Sequence, residues 1–337
     1  RLKGIGRVMI RIALAGTGGA FAIHAGVLSG MEDIKVTACI SRSQEKAEIA
    51  AARFNCRPCT SLREALPLCD ALVLCTPPDV HRAHAVEAME AGKAVLVEKP
   101  MAADLADARI MAETAERTGM VLMIGFNNCF RNGFMLLREF ITNGTIGKLH
   151  SFYIHRQSGS FLKEGVPTWR NAGVCGHTIE SLSHDLSILR YCVGEVKAVK
   201  AYTLNTLPYA PGYDNTAVVA MELACGALAS IYSDWNSPLA FNVRGASGSR
   251  GAVSLSGPGN WDLREARIRT ADMHYDEIRI LNDSLDSSCY RREWEAFIAA
   301  VQGREKPVQN GTDGLKILEL SHAILSSAKT GKEVLLN

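Results

Sequence analysis

Apolar and polar positions follow two different rhythms along this chain. Short, nearly continuous apolar runs stand at 8–15, 35–40, 71–75, 93–97 and 120–124, as strands buried on both faces read. Between them the spacing predicts helices from Gly19 to about Leu28 and over 44–54, 79–91 and 104–118. Strands alternating with helices build a parallel sheet. From about Phe126 the pattern changes: a helix near 131–143 is followed by strand-like runs at 148–156, 195–205, 214–223, 227–234 and 240–246. Turn signals such as Cys225-Gly226 and Ser256-Gly-Pro-Gly259 separate them. A run of strands after alternating units predicts a second, α+β domain. Residues 157–176 read as a long loop of the kind that lines sites, and helices near 290–302 and 312–329 close the chain. The predicted division is 1–125 and 126–337.

The strand ends of the first part carry candidate chemistry, because open sheets of this kind bind ligands at the carboxyl ends of their strands. The first strand runs into Gly16-Thr17-Gly18-Gly19-Ala20-Phe21. Glycines between a strand and a helix permit a tight turn and bring a pyrophosphate close to the helix amino terminus. Phe21 stands where Gly or Ala completes the dinucleotide fingerprint, a position that serves helix packing more than phosphate contact. The second strand ends at Ser41-Arg42. An acidic residue there binds a ribose 2′-hydroxyl; a hydroxyl and a guanidinium suit a 2′-phosphate instead, so NADP(H) is favoured over NAD(H). Arg42 lying flat on the adenine of either cofactor is the alternative. The third strand enters Thr76-Pro77-Pro78 and His81, a stiff turn that can line the nicotinamide end, although His81 can equally bond the local backbone. The fourth ends at Glu98-Lys99-Pro100, where proline stops the strand and holds an ammonium group at the edge of the crevice. A surface Lys–Glu pair is the plainer alternative.

The second part contributes a helix over His177–Arg190, with Ile179, Leu182, Leu186 and Leu189 on its apolar side. Glu180 and His184 lie four apart and so share a face. A carboxylate near an imidazole can orient its ring and raise its pKa, and histidine suits general acid–base work near neutral pH. Glu180 would orient His184 or bind a neighbouring hydroxyl. His177, Glu180 and His184 could instead be metal ligands on adjacent turns, or Glu180 and His184 a plain surface pair. Because Lys99 and His184 need no Lewis acid between them, no metal is expected.

Composition narrows the classes. The chain has 337 residues, a net charge of +2 and a 47% hydrophobic content, enough for two domains with ample core and too little charge for a nucleic-acid footprint. Ten cysteines are scattered without scaffold spacing, which fits a reducing, cytoplasmic setting. Cys56-Arg-Pro-Cys59 is a single C-x-x-C, and a zinc site wants a second pair. No apolar segment is long enough to span a membrane. An exposed sheet face in the second domain would need cover, so a homodimer or homotetramer is expected.

Taken together, Gly16-Thr-Gly-Gly19, Thr76-Pro-Pro-x-x-His81, Glu98-Lys99-Pro100, Trp169-Arg170, Glu180-x-x-x-His184-Asp185 and the Gly245-Ala-Ser-Gly248 turn resemble the Gfo/Idh/MocA family, over nearly the whole chain. The resemblance implies a Rossmann-type dinucleotide-binding domain followed by an α+β domain with a large open, mostly antiparallel sheet. It also implies hydride transfer between a nicotinamide cofactor and a secondary alcohol of a sugar, cyclitol or related compound. In that pattern His184 is catalytic, and Lys99 would hydrogen-bond the reacting oxygen. Asn127, Trp169 and Arg170 would line the substrate pocket. The sequence departs from the pattern in three places: Glu180 stands for an Asp, Ser187 replaces another Asp, and Cys129 stands where many members carry Arg. Two other classes share the resemblance: a redox-neutral glycosidase that keeps its nicotinamide, and a cofactor-sensing regulator without turnover.

Overall fold

The computed structural model describes residues 9–158, 175–206, 214–281 and 288–336. It divides into two compact units, residues 1–126 with 290–315, and residues 127–289 with 316–337. One boundary falls at Phe126, and the second block is not continuous, because Tyr290–Leu315 return to the first unit. Trp294 and Phe297 are fully buried there. Gly314 is small for a reason, since a Cβ on it would come within 2.7 Å of Ile124 and Met101 side-chain atoms.

The first unit alternates β1 (Ile10–Ala15), α1 (Gly19–Leu28), β2 (Ile34–Ile40), α2 (Gln44–Ala52), β3 (Arg57–Cys59), α3 (Leu62–Ala65), β4 (Ala71–Leu74), α4 (His81–Glu90), β5 (Ala94–Glu98), α5 (Leu105–Thr118) and β6 (Leu122–Gly125). All neighbours pair in parallel, in the order β3-β2-β1-β4-β5-β6. The strands were legible as apolar runs because both faces are covered; every residue of β4 and β6 is buried. The chain reverses its direction of travel across the sheet between β1 and β4. That switch leaves a crevice at their carboxyl ends, where Gly16 and Thr76 stand.

The second unit contains α6 (Asn132–Thr142), β7 (Leu149–Ser158), α7 (His177–Glu180), α8 (Leu182–Val193), β8 (Val196–Leu204), β9 (Thr216–Leu223), β10 (Leu228–Asp234), β11 (Ala240–Gly248), β12 (Gly251–Gly257), β13 (Glu265–Thr270) and β14 (Glu277–Ile280). The closing helices α9 (Ser288–Val301) and α10 (Gly311–Thr330) precede β15 (Val334–Leu335). Its nine strands run β14-β13-β12-β11-β7-β10-β9-β8-β15, antiparallel except for β7 beside β10. Alternation is clear in β7, where Phe152, Ile154 and Arg156 are buried between more exposed neighbours. The sequence pattern missed β12 to β14, which are short and rich in charge or glycine. It also read Gly245–Gly248 as a turn, whereas those residues lie within β11. Gly245 is needed for packing: a Cβ there would meet the Val253 carbonyl at 2.3 Å and the Tyr153 hydroxyl at 2.6 Å.

No helix among the described residues is long and apolar enough to cross a membrane.

Candidate active site

The glycine turn in the first unit has two distinct parts. Gly16 adopts φ +98°, and a Cβ there would lie 2.6 Å from the Cys75 carbonyl oxygen, so the fold itself requires this glycine. Gly18 and Gly19 are different, because a Cβ on either would meet nothing within 4 Å. Gly18 is the N-cap of α1, it makes no side-chain cap, and no acidic residue occupies the first turn. Unsatisfied N–H groups at a helix start, open space and no competing carboxylate suit a pyrophosphate. Thr17 and Ala20 flank these positions, and Phe21 turns inward, 7% exposed. Thr76 Oγ1, across the crevice from Gly16, is buried without a hydrogen-bond partner among the described residues. The residues present therefore fit a dinucleotide.

Ser41 is half-buried and Arg42 exposed at the end of β2. Ser41 N–H donates to the Cys59 carbonyl at 3.1 Å, and Ser43 N–H donates to Ser41 Oγ at 3.4 Å. The Thr76-Pro77-Pro78 turn is pinned from behind. His81 is 1% exposed, with Nε2 2.7 Å from the Thr76 carbonyl and Nδ1 3.2 Å from that of Met101. Burial holds its pKa below the usual range against those two bonds. His81 thus takes the backbone role rather than facing a ligand.

Both carboxylate oxygens of Glu98 have partners within the unit. Its Oε1 is 2.9 Å from His24 Nε2, and its Oε2 accepts the Lys99 backbone N–H at 3.2 Å. Trp294 Nε1 donates to His24 Nδ1 at 3.0 Å. An indole only donates, so Nδ1 is the accepting nitrogen and Nε2–H gives its proton to the carboxylate. Burial opposes ionisation of Glu98, but the His24 hydrogen bond, the Lys99 charge and the Lys99 backbone N–H outweigh it and hold the carboxyl below its usual range. Glu98 is therefore a fixed support for the backbone that carries Lys99, itself half-buried.

In the second unit the predicted long helix breaks at Ser181 into α7 and α8. The start of α7 is tied to Asp214, whose carbonyl accepts His177 N–H at 2.9 Å and whose carboxylate accepts Thr178 N–H at 3.0 Å. Gly176 lets this happen: a Cβ on it would lie 2.0 Å from Asp214 Oδ1. Glu180 is fully buried and His184 is 9% exposed. His184 Nδ1 is 3.1 Å from Asn128 Nδ2, and Arg131 Nε donates to Asn128 Oδ1 at 2.8 Å. The guanidinium fixes the amide: its oxygen faces Arg131 and its NH2 faces the imidazole. Nδ1 therefore accepts, and the ring proton sits on Nε2. Such a ring can hydrogen-bond a reacting oxygen directly. To serve as a base at Nε2 it must move its proton to Nδ1, with Asn128 turning its carbonyl toward it.

Asp185, next in sequence, lies in a fully buried charge cluster. Arg156 Nε donates to Asp185 Oδ2 at 2.9 Å and Arg244 Nη2 to Oδ1 at 3.3 Å. Arg156 also donates to Ser233 Oγ at 2.7 Å and Asn260 Oδ1 at 2.8 Å. Burial pushes the Arg244 guanidinium down to about 9, and Asp185 offsets only part of this. Trp261 stacks over both guanidiniums, 4.6 and 4.7 Å from its ring, and meets His184 edge-on at 5.0 Å. The cluster fastens α8 to β7 and β11 and so fixes the height of His184.

Among the predicted residues, Gly16–Phe21 and Thr76–Pro78 gather at one crevice, with Lys99 anchored through Glu98. Asn127 is buried with its amide 3.8 Å from Cys289 Sγ; its neighbour Asn128 is the residue that reaches His184. Asn128 and Arg131 escaped the sequence reading, although a pair of asparagines followed by Arg just before a helix offered a signal. Trp169 and Arg170 lie outside the described residues. His177 Nε2 is 2.9 Å from Ser233 Oγ. Among the described residues no group of three His, Cys, Asp or Glu is arranged to hold a metal.

Comparison with known proteins bears on both units. Residues 10–126 match the model of an oxidoreductase family with an NAD-binding Rossmann fold. Residues 134–253 match the GFO/IDH/MocA C-terminal domain. Inositol 2-dehydrogenase of Rhizobium meliloti (strain 1021) is 28% identical over 338 residues, 96% of this chain and 98% of that one. D-glucoside 3-dehydrogenase of Escherichia coli (strain K12) is 26% identical, over 96% of this chain and 97% of its own length. The WlbA dehydrogenase from Bordetella pertussis, solved with NADH and UDP-GlcNAcA, has a TM-score of 0.84 at 25% identity, covering 99% of each chain.

Proposed function

Because the chain belongs to the Gfo/Idh/MocA oxidoreductase family, we propose that it transfers hydride between NADP(H), favoured over NAD(H), and a secondary alcohol or ketone of a sugar or cyclitol. The observation that carries this reading is the held imidazole of His184, with Asn128 3.1 Å from its Nδ1. A bound nicotinamide supplies or accepts the hydride. Gly18, Gly19 and the start of α1 hold the pyrophosphate, with Thr76 Oγ1 beside it. Lys99 donates a hydrogen bond to the reacting oxygen and stabilises its developing negative charge. His184 exchanges the hydroxyl proton at Nε2, and Glu180 meets a neighbouring hydroxyl or helps orient the ring.

The proposed cofactor preference rests on Ser41 and the exposed Arg42, with no acidic side chain at that strand end. The expected assembly is a homodimer or homotetramer in the cytoplasm, its substrate a small sugar or polyol rather than nucleic acid or membrane. A panel of polyols, glycosides and keto-sugars with both cofactors, read as absorbance of the reduced nicotinamide, tests the reaction. Turnover of at least one sugar-like alcohol or ketone is expected. A substrate consumed with no net change in nicotinamide, by protein that copurifies with its cofactor, would reject net hydride transfer. NADPH should bind about tenfold more tightly than NADH, and Arg42→Ala should remove that gap. Equal binding by the native protein would overturn the preference.

A further inference from the structure

The C-x-x-C spacing of Cys56 and Cys59 has no part in the chemistry above, and the fold gives its two thiols different neighbours. Cys59 is fully buried in β3, with Sγ 3.9 Å from the carbonyl of Arg57 on its own strand. Cys56 faces Cys39 of β2, and the two sulfurs are 3.7 Å apart. The turn after α2 makes this contact: Asn55 takes a left-handed φ of 48°, and Cys56 N–H returns to the Ala51 carbonyl at 3.1 Å. Cys39 is fully buried, whereas Cys56 is partly open to solvent. The hydrogen bond shared by the thiols holds Cys56 below the usual range although burial opposes it. The same bond, and then burial, pushes Cys39 up. One accessible, more acidic thiol thus lies against one buried partner, the arrangement of an attacking and a resolving cysteine.

We propose that Cys39 and Cys56 are an oxidation-sensitive pair, which a hydroperoxide converts to a disulfide that weakens dinucleotide binding at the end of β2. Cys56 thiolate attacks the peroxide oxygen, the O–O bond breaks, and for hydrogen peroxide the departing hydroxide leaves as water after protonation. The Cys56 sulfenic acid is then attacked by Cys39, which gives up its thiol proton; the S–O bond breaks and a second water leaves. Two thiols and one hydrogen peroxide become one disulfide and two waters. The sulfurs must close from 3.7 Å to about 2.05 Å, a short movement for a turn but a large one for a packed strand. Its effect reaches the cofactor because Ser41 is two residues beyond Cys39 and both strands meet there: Ile40 pairs with Cys59, and Ser41 N–H donates to the Cys59 carbonyl.

The test treats the reduced full-length protein with hydrogen peroxide, maps disulfides by mass spectrometry of non-reduced peptides, and follows NADPH binding by fluorescence. The expected result is a Cys39–Cys56 link, loss of two hydrogens in intact mass, and a Kd raised about threefold or more, as when a charge-assisted contact is weakened. A thiol reductant should restore the original Kd. Cys56→Ser should abolish both changes, and Cys59→Ser should leave both in place. No disulfide, a Cys56–Cys59 link, or a mapped Cys39–Cys56 link with unchanged Kd would each overturn the proposal. The native protein supplies the mapping result even if a variant folds poorly. The binding arm rests on the dinucleotide reading of Ser41 and Arg42, while the thiol map does not, so failure of one is distinguishable from failure of the other.

Discussion

Single protons decide the chemistry at the residue scale, and hydrogen-bond partners decide the protons. Arg131 turns Asn128, and Asn128 places its NH2 on His184 Nδ1; Trp294 does the same for His24 and so commits Nε2–H to Glu98. Asn128→Asp gives His184 an anionic acceptor that favours Nδ1–H and the charged ring. With His184 as the proposed base, alcohol oxidation needs the uncharged ring, so activity should fall as pH drops through the ring's pKa. Raising that pKa should move the falling limb upward by about one pH unit, read from kcat profiles of both proteins. His184→Ala and Lys99→Ala should each lower kcat by about 10²–10⁴-fold, the range for a positioned proton-transfer group. Nicotinamide titration should change far less in both. Near-native turnover in both variants would overturn the assignment of Lys99 and His184 to the chemical step.

At the scale of elements, α9 shows how one helix can carry an unused carboxyl group into a core. Glu293 is fully buried, and neither carboxylate oxygen has a hydrogen-bond partner among the described residues. Burial first, and the Glu98 charge second, push its pKa well above the ordinary carboxyl value. The folded chain therefore keeps a proton that the unfolded chain releases above that ordinary value, so stability falls as pH rises from there. Glu293→Gln replaces the protonated acid with a neutral isostere that pays no such cost. Its Tm advantage over the native protein should widen from pH 5 to pH 8, at roughly 2 °C per kcal/mol, in thermal melts across that range. A constant difference would mean Glu293 is ionised in the fold. On α7 the decisive residue is Gly176. Gly176→Ala should drive a methyl into Asp214, disturb the entry to α8 and lower kcat with little change in dinucleotide affinity.

For the whole molecule, the outer face of the nine-stranded sheet carries the assembly question. Tyr202, Val218, Tyr232 and His155 form one cross-strand row on it, through the pairs Tyr202–Val218, Val218–Tyr232 and Tyr232–His155. Leu228 and Phe241 lie on the same sheet, 64% and 41% exposed. Apolar side chains gathered on one face predict self-association. Light scattering should give a dimer or tetramer for the native protein, and Val218→Lys with Leu228→Lys should shift it toward monomer. A native monomer at working concentration would remove that expectation.

The sequence by itself determined the first unit's strands and its phosphate turn, because strands covered on both faces are written as continuous apolar runs and a tight strand–helix turn needs glycine. It also put Lys99 just past a strand end, since the apolar run of β5 stops at Glu98, whereas the single helix expected to carry Glu180 and His184 is broken at Ser181. Tertiary structure alone decided the rest. The short strands β12 to β14 are held by their neighbours, not by apolar pattern. The return of Tyr290–Leu315 is a packing event with no local signature. Asn128 meets His184 across 56 residues, and Cys56 leaves its motif partner for Cys39. Periodicity reports which face of an element is buried; it carries no record of which distant side chain will be waiting there to accept or donate a proton.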